Sequence, residues 1–194
     1  MFFVTFRLKN SLPSEIIGAL REEHEHAKKI VLQSLPEPKR ASQHALNDQR
    51  YFDKWEEYLG KEGFGPHWLS QPEIAGVVKE ALHYRDGKVF DLHAYCIMSN
   101  HVHVVFEPLS TSDCQSDVLS LSKIMQSLKR HTARQANIAL KREGAFWQDE
   151  NYDRAIRDHD EYIRTVHYVL ENPVKAGLVS QWDEWQWTYC KPEL

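Results

Sequence analysis

Cysteine is scarce in this 194-residue chain: Cys96, Cys114 and Cys190 are odd in number, far apart and never arranged as CxxC. That excludes a disulfide framework and a thiolate zinc site, and it fits a reducing compartment. Glycine and proline number only eight each, which excludes collagen-like repeats and low-complexity chains. No uncharged apolar run approaches the roughly 20 residues of a bilayer span, so no membrane is expected among the partners. The opening MFFVTFRLKN lacks the basic, apolar and small-residue parts of a secretory leader, and the expected location is cytoplasmic. With 42% hydrophobic and 27% charged residues, the chain has enough core-forming material to fold unaided.

Acidic residues are missing from one stretch. Residues 118–142 hold six basic side chains and no Asp or Glu, so with a formal net charge of -4 overall the rest of the chain carries -10. At about 100° per residue, a helix over 116–140 gathers Val118, Leu121, Met125, Leu128, Thr132, Ala136 and Ala139 on one side. Lys123, Arg130, Arg134 and Lys141 then fall within about 20° of one line opposite. Helix faces without a partner usually interleave Glu with Lys, and this one does not. The face suits either solvent or the phosphates of a nucleic acid.

Phe2–Leu8 is aromatic and β-branched and reads as a strand. Residues 14–33 read as helix one, with Ile16, Leu20 and Ala27 inward. Residues 34–70 are the least regular part and suggest an insertion; a second helix follows over 72–84. Two strand-like runs, 89–98 and 101–108, are separated only by Ser99-Asn100 and predict a hairpin. A short strand is expected at AFWQ, 145–148. Asp158 and Glu161 form a capping box opening a helix with Ile163, Val166 and Leu170 inward, ended by Asn172-Pro173. The tail, 182–190, suggests an edge strand. This order describes an α+β fold of the ferredoxin-like βαββαβ kind, with an antiparallel sheet, helices on one face, a helical insertion after helix one, and a C-terminal helix plus edge strand.

His101 and His103 are the sharpest chemical feature. On a strand, positions i and i+2 share a face, so both imidazoles can reach one divalent ion while Val102 and Val104 pack behind. Two exposed strand histidines with no role fit the same pattern. Val105 excludes a histidine-triad hydrolase. Tyr152, in the polar stretch FWQDENYDRAIRD, suits reversible phosphoryl transfer, because an aryl oxide leaves more readily than an alkoxide; it equally suits a packed ring with a wet hydroxyl.

Together LHAYCIMSNHVHVVFEPL, LSKIMQSLKRHTARQAN, FWQDENYDRAIRD and YVLENPVKAGLV resemble, in order and spacing, the single-tyrosine HUH transposases of the IS200 type, above all the REP-associated tyrosine transposases. The resemblance runs over essentially the whole chain, weakest at 34–60, and makes 1–194 a single domain of that kind. It implies that His101 and His103 ligate Mg²⁺ or Mn²⁺ and that Tyr152 is the nucleophile. The implied reaction is cleavage and rejoining of single-stranded DNA with hairpin or palindromic structure, through a 5′-phosphotyrosine, with Lys123, Lys129, Arg130 and Arg134 on the DNA. The implied protein is nucleoid-associated and a monomer or homodimer. A non-catalytic hairpin-DNA binder on the same fold is the alternative. Two residues depart from the family pattern. Ser99 stands where Pro is usual in the turn before the histidines. Ile156 stands four residues after Tyr152, where IS200 enzymes carry a Gln metal ligand; Asp153, Asp158, His159, Gln148, water or the DNA itself are the candidates to replace it. The NPVKAGL segment reads as helix stop and turn, with Lys175 near phosphate; His131 and Arg157 are unassigned.

Overall fold

The computed structural model describes residues 1–37, 39–61, 63–109 and 120–192. Its elements run β1 (Phe2–Arg7), α1 (Ser14–Ser34), α2 (Lys39–Leu59), α3 (Pro72–Arg85), β2 (Phe90–Ile97), β3 (His101–Pro108), α4 (Leu121–Ala139), β4 (Tyr152–Ala155), α5 (His159–Leu170), α6 (Asn172–Lys175) and β5 (Thr188–Cys190). They form two compact units, one of residues 1–9 with 67–194 and the other of residues 10–66.

The first unit is built on a five-stranded antiparallel sheet ordered β4-β1-β3-β2-β5. The first four positions are the ferredoxin-like order expected from the sequence, and β5 is the expected edge strand. Directly opposed residues of neighbouring strands share a face. On one face Val4, Phe6, Val102, Val104 and Phe106 join Ile74 and Val78 of α3 and Ile124, Met125 and Leu128 of α4 in a single buried core. Strand β2 keeps contributing to that core along its length because the register shifts between Leu92 and Ala94. A bulge there resets the alternation, so Leu92 and Tyr95 both face inward and His93 turns away.

The other face carries Phe3, Thr5 and Arg7 of β1, His101 and His103 of β3, and Tyr152 and Arg154 of β4, aligned by register. Helix α5 packs on this face, against β2, β3 and β5. The sheet therefore has helices on both faces rather than one. The α5 helix starts at the expected cap, Asp158 accepting from the Glu161 backbone N–H at 2.7 Å, and Glu161 returns the bond to Arg157 N–H at 3.0 Å. It buries Tyr162, Thr165, Val166, Val169 and Leu170, whereas Ile163, expected inward, is exposed. The Tyr162 hydroxyl and His93 Nδ1 share a 2.8 Å hydrogen bond that ties α5 to β2.

The second unit begins earlier than the expected insertion. Helix one, α1, packs on α2, and Leu12, Leu20, Trp55 and Leu59 form a small core with Ile16, Ile17, Tyr51 and Tyr58. The helix that crosses the sheet between β1 and β2 is α3. At the close of this unit Gly65 has φ +61°, and a Cβ there would meet Asn10 O at 2.1 Å, so no larger residue fits that junction. AFWQ is not a continuous strand: Trp147 makes an isolated bridge with Leu8, and the fourth strand is Tyr152–Ala155. The expected helix over 116–140 is observed from Leu121; its first residues, with Val118, lie outside the described residues.

Candidate active site on the histidine face of the sheet

Strand alternation brings His101 and His103 to one face, both buried, with His101 Nε2 and His103 Nε2 3.0 Å apart. Each ring is held at its other nitrogen. His101 Nδ1 lies 2.6 Å from Asn100 Oδ1, and His103 Nδ1 lies 2.8 Å from Thr5 Oγ1. Thr5 is the direct cross-strand partner of His103, which is why β1 supplies that contact. The arrangement fits a divalent cation. Two ligands at about 2.1 Å and at right angles lie about 3.0 Å apart, the spacing of neighbouring ligands of an octahedral Mg²⁺ or Mn²⁺. An orienting partner on the second nitrogen of each ring is the usual accompaniment of a ligating imidazole.

Phe3, two residues before Thr5 and 1% exposed, is the centre of an aromatic cluster on this face. Its ring stacks on His103 with centroids 5.9 Å apart and an interplanar angle of 18°. Two tyrosines meet Phe3 edge-on: Tyr152 at 6.3 Å and Tyr168 at 5.9 Å. They stand differently toward the histidines. Tyr152 opens β4 opposite Thr5, so it is two strands from His103, about 10 Å between Cα atoms. Tyr168 comes down from α5, and its ring lies 5.7 Å from the His103 ring. Lys175 Nζ sits 4.7 Å from the Tyr168 ring centroid, and Asn172 Nδ2 donates to the Tyr168 carbonyl at 2.8 Å.

Sequence reasoning passes over Tyr168 because the helix that carries it, opened by Asp158 and ended at Asn172-Pro173, reads as structural. The signal was present nevertheless. Tyr168 and Asn172 stand four residues apart, the spacing the IS200 resemblance attaches to a nucleophile and a carboxamide ligand, whereas Tyr152 is followed at that distance by Ile156. Ile156 instead donates its backbone N–H to Met1 O at 3.1 Å.

The basic residues divide. Lys123, Arg130 and Arg134 are exposed on α4, with no ion-pair partner among the described residues. Lys129 is not on that line. Its ammonium donates to Gln148 O at 2.6 Å, Asp149 O at 2.9 Å and Asn151 Oδ1 at 2.8 Å, fastening the segment before β4 to α4. Burial pushes its pKa down to about 8, so it is charged at neutral pH and the clamp loses its charge as pH rises through that value. Since α4 covers the core face, the basic line lies across the sheet from the histidines. A groove of about 590 Å³, lined by Gln126, Lys129, Arg130, Phe146, Trp147 and Asn151 among others, runs from α4 to the segment that enters the β4 edge.

A family model described as "Transposase IS200 like" matches residues 70–172, more than half of the chain, from just before α3 to the start of α6. The chain belongs to the IS200-like transposase family. The matched span of this IS200-like chain contains both histidines, both tyrosines and the basic helix, and leaves out β1 and the 10–66 unit. A REP-associated tyrosine transposase of Escherichia coli (strain K12) is 26% identical over 96 residues, 50% of this chain and 52% of that protein. A putative REP-associated tyrosine transposase of Haemophilus influenzae (strain ATCC 51907 / DSM 11121 / KW20 / Rd) is 23% identical over 104 residues, 51% of this chain and 58% of that one. The chain thus spans about half the length of the curated relatives it matches. A solved structure of a REP-associated tyrosine transposase bound to a REP hairpin aligns at 19% identity and a TM-score of 0.43, over 96% of this chain and 74% of that one. Among the described residues, no helix is long and apolar enough to cross a membrane.

Proposed function

We propose that this protein cleaves and rejoins single-stranded DNA at hairpin or palindromic sequences, with Tyr168, in place of Tyr152, as the nucleophile. The observation that carries the reading is the position of the Tyr168 ring, 5.7 Å from His103, beside two imidazole nitrogens 3.0 Å apart. His101 and His103 would hold Mg²⁺ or Mn²⁺. Asn172, whose Nδ2 is spent on the Tyr168 carbonyl, has its Oδ1 left to offer as a further oxygen ligand. The cation would supply Lewis-acid polarisation of the scissile phosphate. The Tyr168 oxygen attacks phosphorus in line, giving up its phenol proton. The P–O3′ bond breaks and the departing O3′ gains a proton, leaving a 5′-phosphotyrosine and a free 3′-OH. Phosphodiester number is conserved, so a second 3′-OH can reverse the step without a nucleotide cofactor. Lys175 places positive charge where the phenol oxygen and phosphate become crowded with negative charge.

The test is incubation of end-labelled hairpin oligonucleotides with the protein and Mn²⁺, followed by mass spectrometry of the peptide carrying DNA. DNA on the Tyr168 peptide supports the proposal. DNA on the Tyr152 peptide restores the strand residue as nucleophile. Cleavage with no adduct would make the protein a metal-dependent hydrolase, and shifted but intact DNA a hairpin binder.

Lys123, Arg130 and Arg134 are proposed as phosphate contacts. Replacing any one by Ala is expected to weaken binding and lower the slope of log affinity against log salt by roughly 0.7–0.9. Lys129→Gln is expected to leave that slope unchanged and to lower the melting temperature instead, because its three acceptors lie within the protein. Salt titrations of fluorescence anisotropy, paired with thermal melts, separate the two behaviours.

A further inference from the structure

The partners of the two imidazoles are chemically unequal. Asn100 Oδ1 only accepts, so His101 donates Nδ1–H to it and turns a lone pair on Nε2 toward His103. Thr5, fully buried, offers a hydroxyl, which both donates and accepts. His103 thereby has two arrangements in which its Nδ1 stays hydrogen-bonded to Thr5. In one, Nε2–H donates to His101 Nε2 across 3.0 Å and Nδ1 accepts from the Thr5 hydroxyl. In the other, Nδ1–H donates to Thr5 Oγ1 and Nε2 offers a lone pair beside that of His101.

We infer that Thr5 is a positioning residue that lets His103 pass between these two tautomers while keeping its hydrogen bond to Thr5; the bond given up, from Nε2–H to His101, is the one a cation replaces. The first arrangement holds the pair together when no cation is present; the second presents two converging lone pairs. The proton moves from Nε2 to Nδ1 of the same ring, so the pair takes up a cation with no net change in its bound protons. The ring need not turn, since Phe3 stacked on it fixes its plane. An acceptor-only side chain at position 5 would hold His103 as the Nδ1–H tautomer and set two lone pairs against each other. A methyl would remove the hydrogen bond at His103 Nδ1 in either tautomer.

The inference rests on the proposed metal role of the histidines, and the experiment separates the two. In the full chain with ¹⁵N-labelled histidine, the protonated nitrogen of His103 is read by NMR without divalent cation and at saturating Mg²⁺. The expected result is Nε2–H without the cation and Nδ1–H with it. Thr5→Val is expected to raise the Kd for Mn²⁺, read from the free-ion EPR signal, by about 10–100-fold, and Thr5→Ser to restore it. The same protonated nitrogen in both samples, an imidazolium at His101, or Thr5→Val binding Mn²⁺ as tightly as the natural chain would overturn the Thr5 role while leaving the metal site in place. Absence of Mn²⁺ binding by the natural chain, with or without hairpin DNA, would remove the metal reading itself. Thermal melts of Thr5→Val identify loss of fold.

Discussion

Tyr168→Phe is expected to abolish the covalent protein–DNA product, lowering strand cleavage by at least about 10³-fold, while hairpin binding stays within about twofold. The substitution removes one oxygen and keeps the ring that packs against Phe3 and His103, so the site should keep its shape. Among the described residues, Tyr168 is the tyrosine whose ring is observed against His103. The two imidazoles point their Nε2 atoms at one another. Tyr152→Phe is the matched control. Its ring shares the Phe3 contact at 6.3 Å, so it tests packing on the same aromatic centre without touching the oxygen in question. A several-fold loss there with a normal adduct is the expected outcome. Loss of the adduct in Tyr152→Phe, with retention in Tyr168→Phe, would reverse the assignment.

Features set by local periodicity were legible in the amino-acid sequence. The histidine pair needs only the alternation of one strand, and the apolar face of α4 needs only a helical repeat. Both stand where they were expected. Features set by which surface an element finally covers were not legible. Helix α1 has an amphipathic pattern that suits a sheet-packing helix, but its apolar stripe is met by Trp55 and Leu59 of α2, in the compact unit of residues 10–66. Lys129 belongs to a charge pattern that reads as surface. Only the path of residues 148–151 reveals three acceptors waiting for it. Tyr152 sits in a polar, motif-like stretch, which drew attention to it. Yet it is α5, crossing the face that carries the histidines, that brings a tyrosine against His103, and nothing local to residues 159–170 says which face that helix will take.

His101→Ala and His103→Ala are each expected to reduce cleavage by about 10³-fold or more, since polarisation of the phosphate by a cation contributes several kcal/mol and each 1.4 kcal/mol is tenfold. The two variants should differ in what they leave behind. His101→Ala removes the proposed ligand and its hydrogen bond with Asn100 Oδ1, while His103 keeps both Thr5 at its Nδ1 and Phe3 on its ring. His103→Ala removes a ring packed against both Phe3 and Tyr168, leaving them facing a cavity in a buried region. That adds a packing cost of roughly 2–4 kcal/mol to the loss of the ligand. His101→Ala is therefore expected to lose Mn²⁺ binding with the smaller drop in melting temperature, whereas His103→Ala loses binding and melts several degrees lower still. Mn²⁺ titration read by EPR, with calorimetric melts of both variants, checks the pair. Equal Mn²⁺ affinity in the natural chain and His101→Ala would show that the cation, if bound, is held elsewhere, and the convergence of the two Nε2 atoms would then be only a hydrogen bond inside the sheet face.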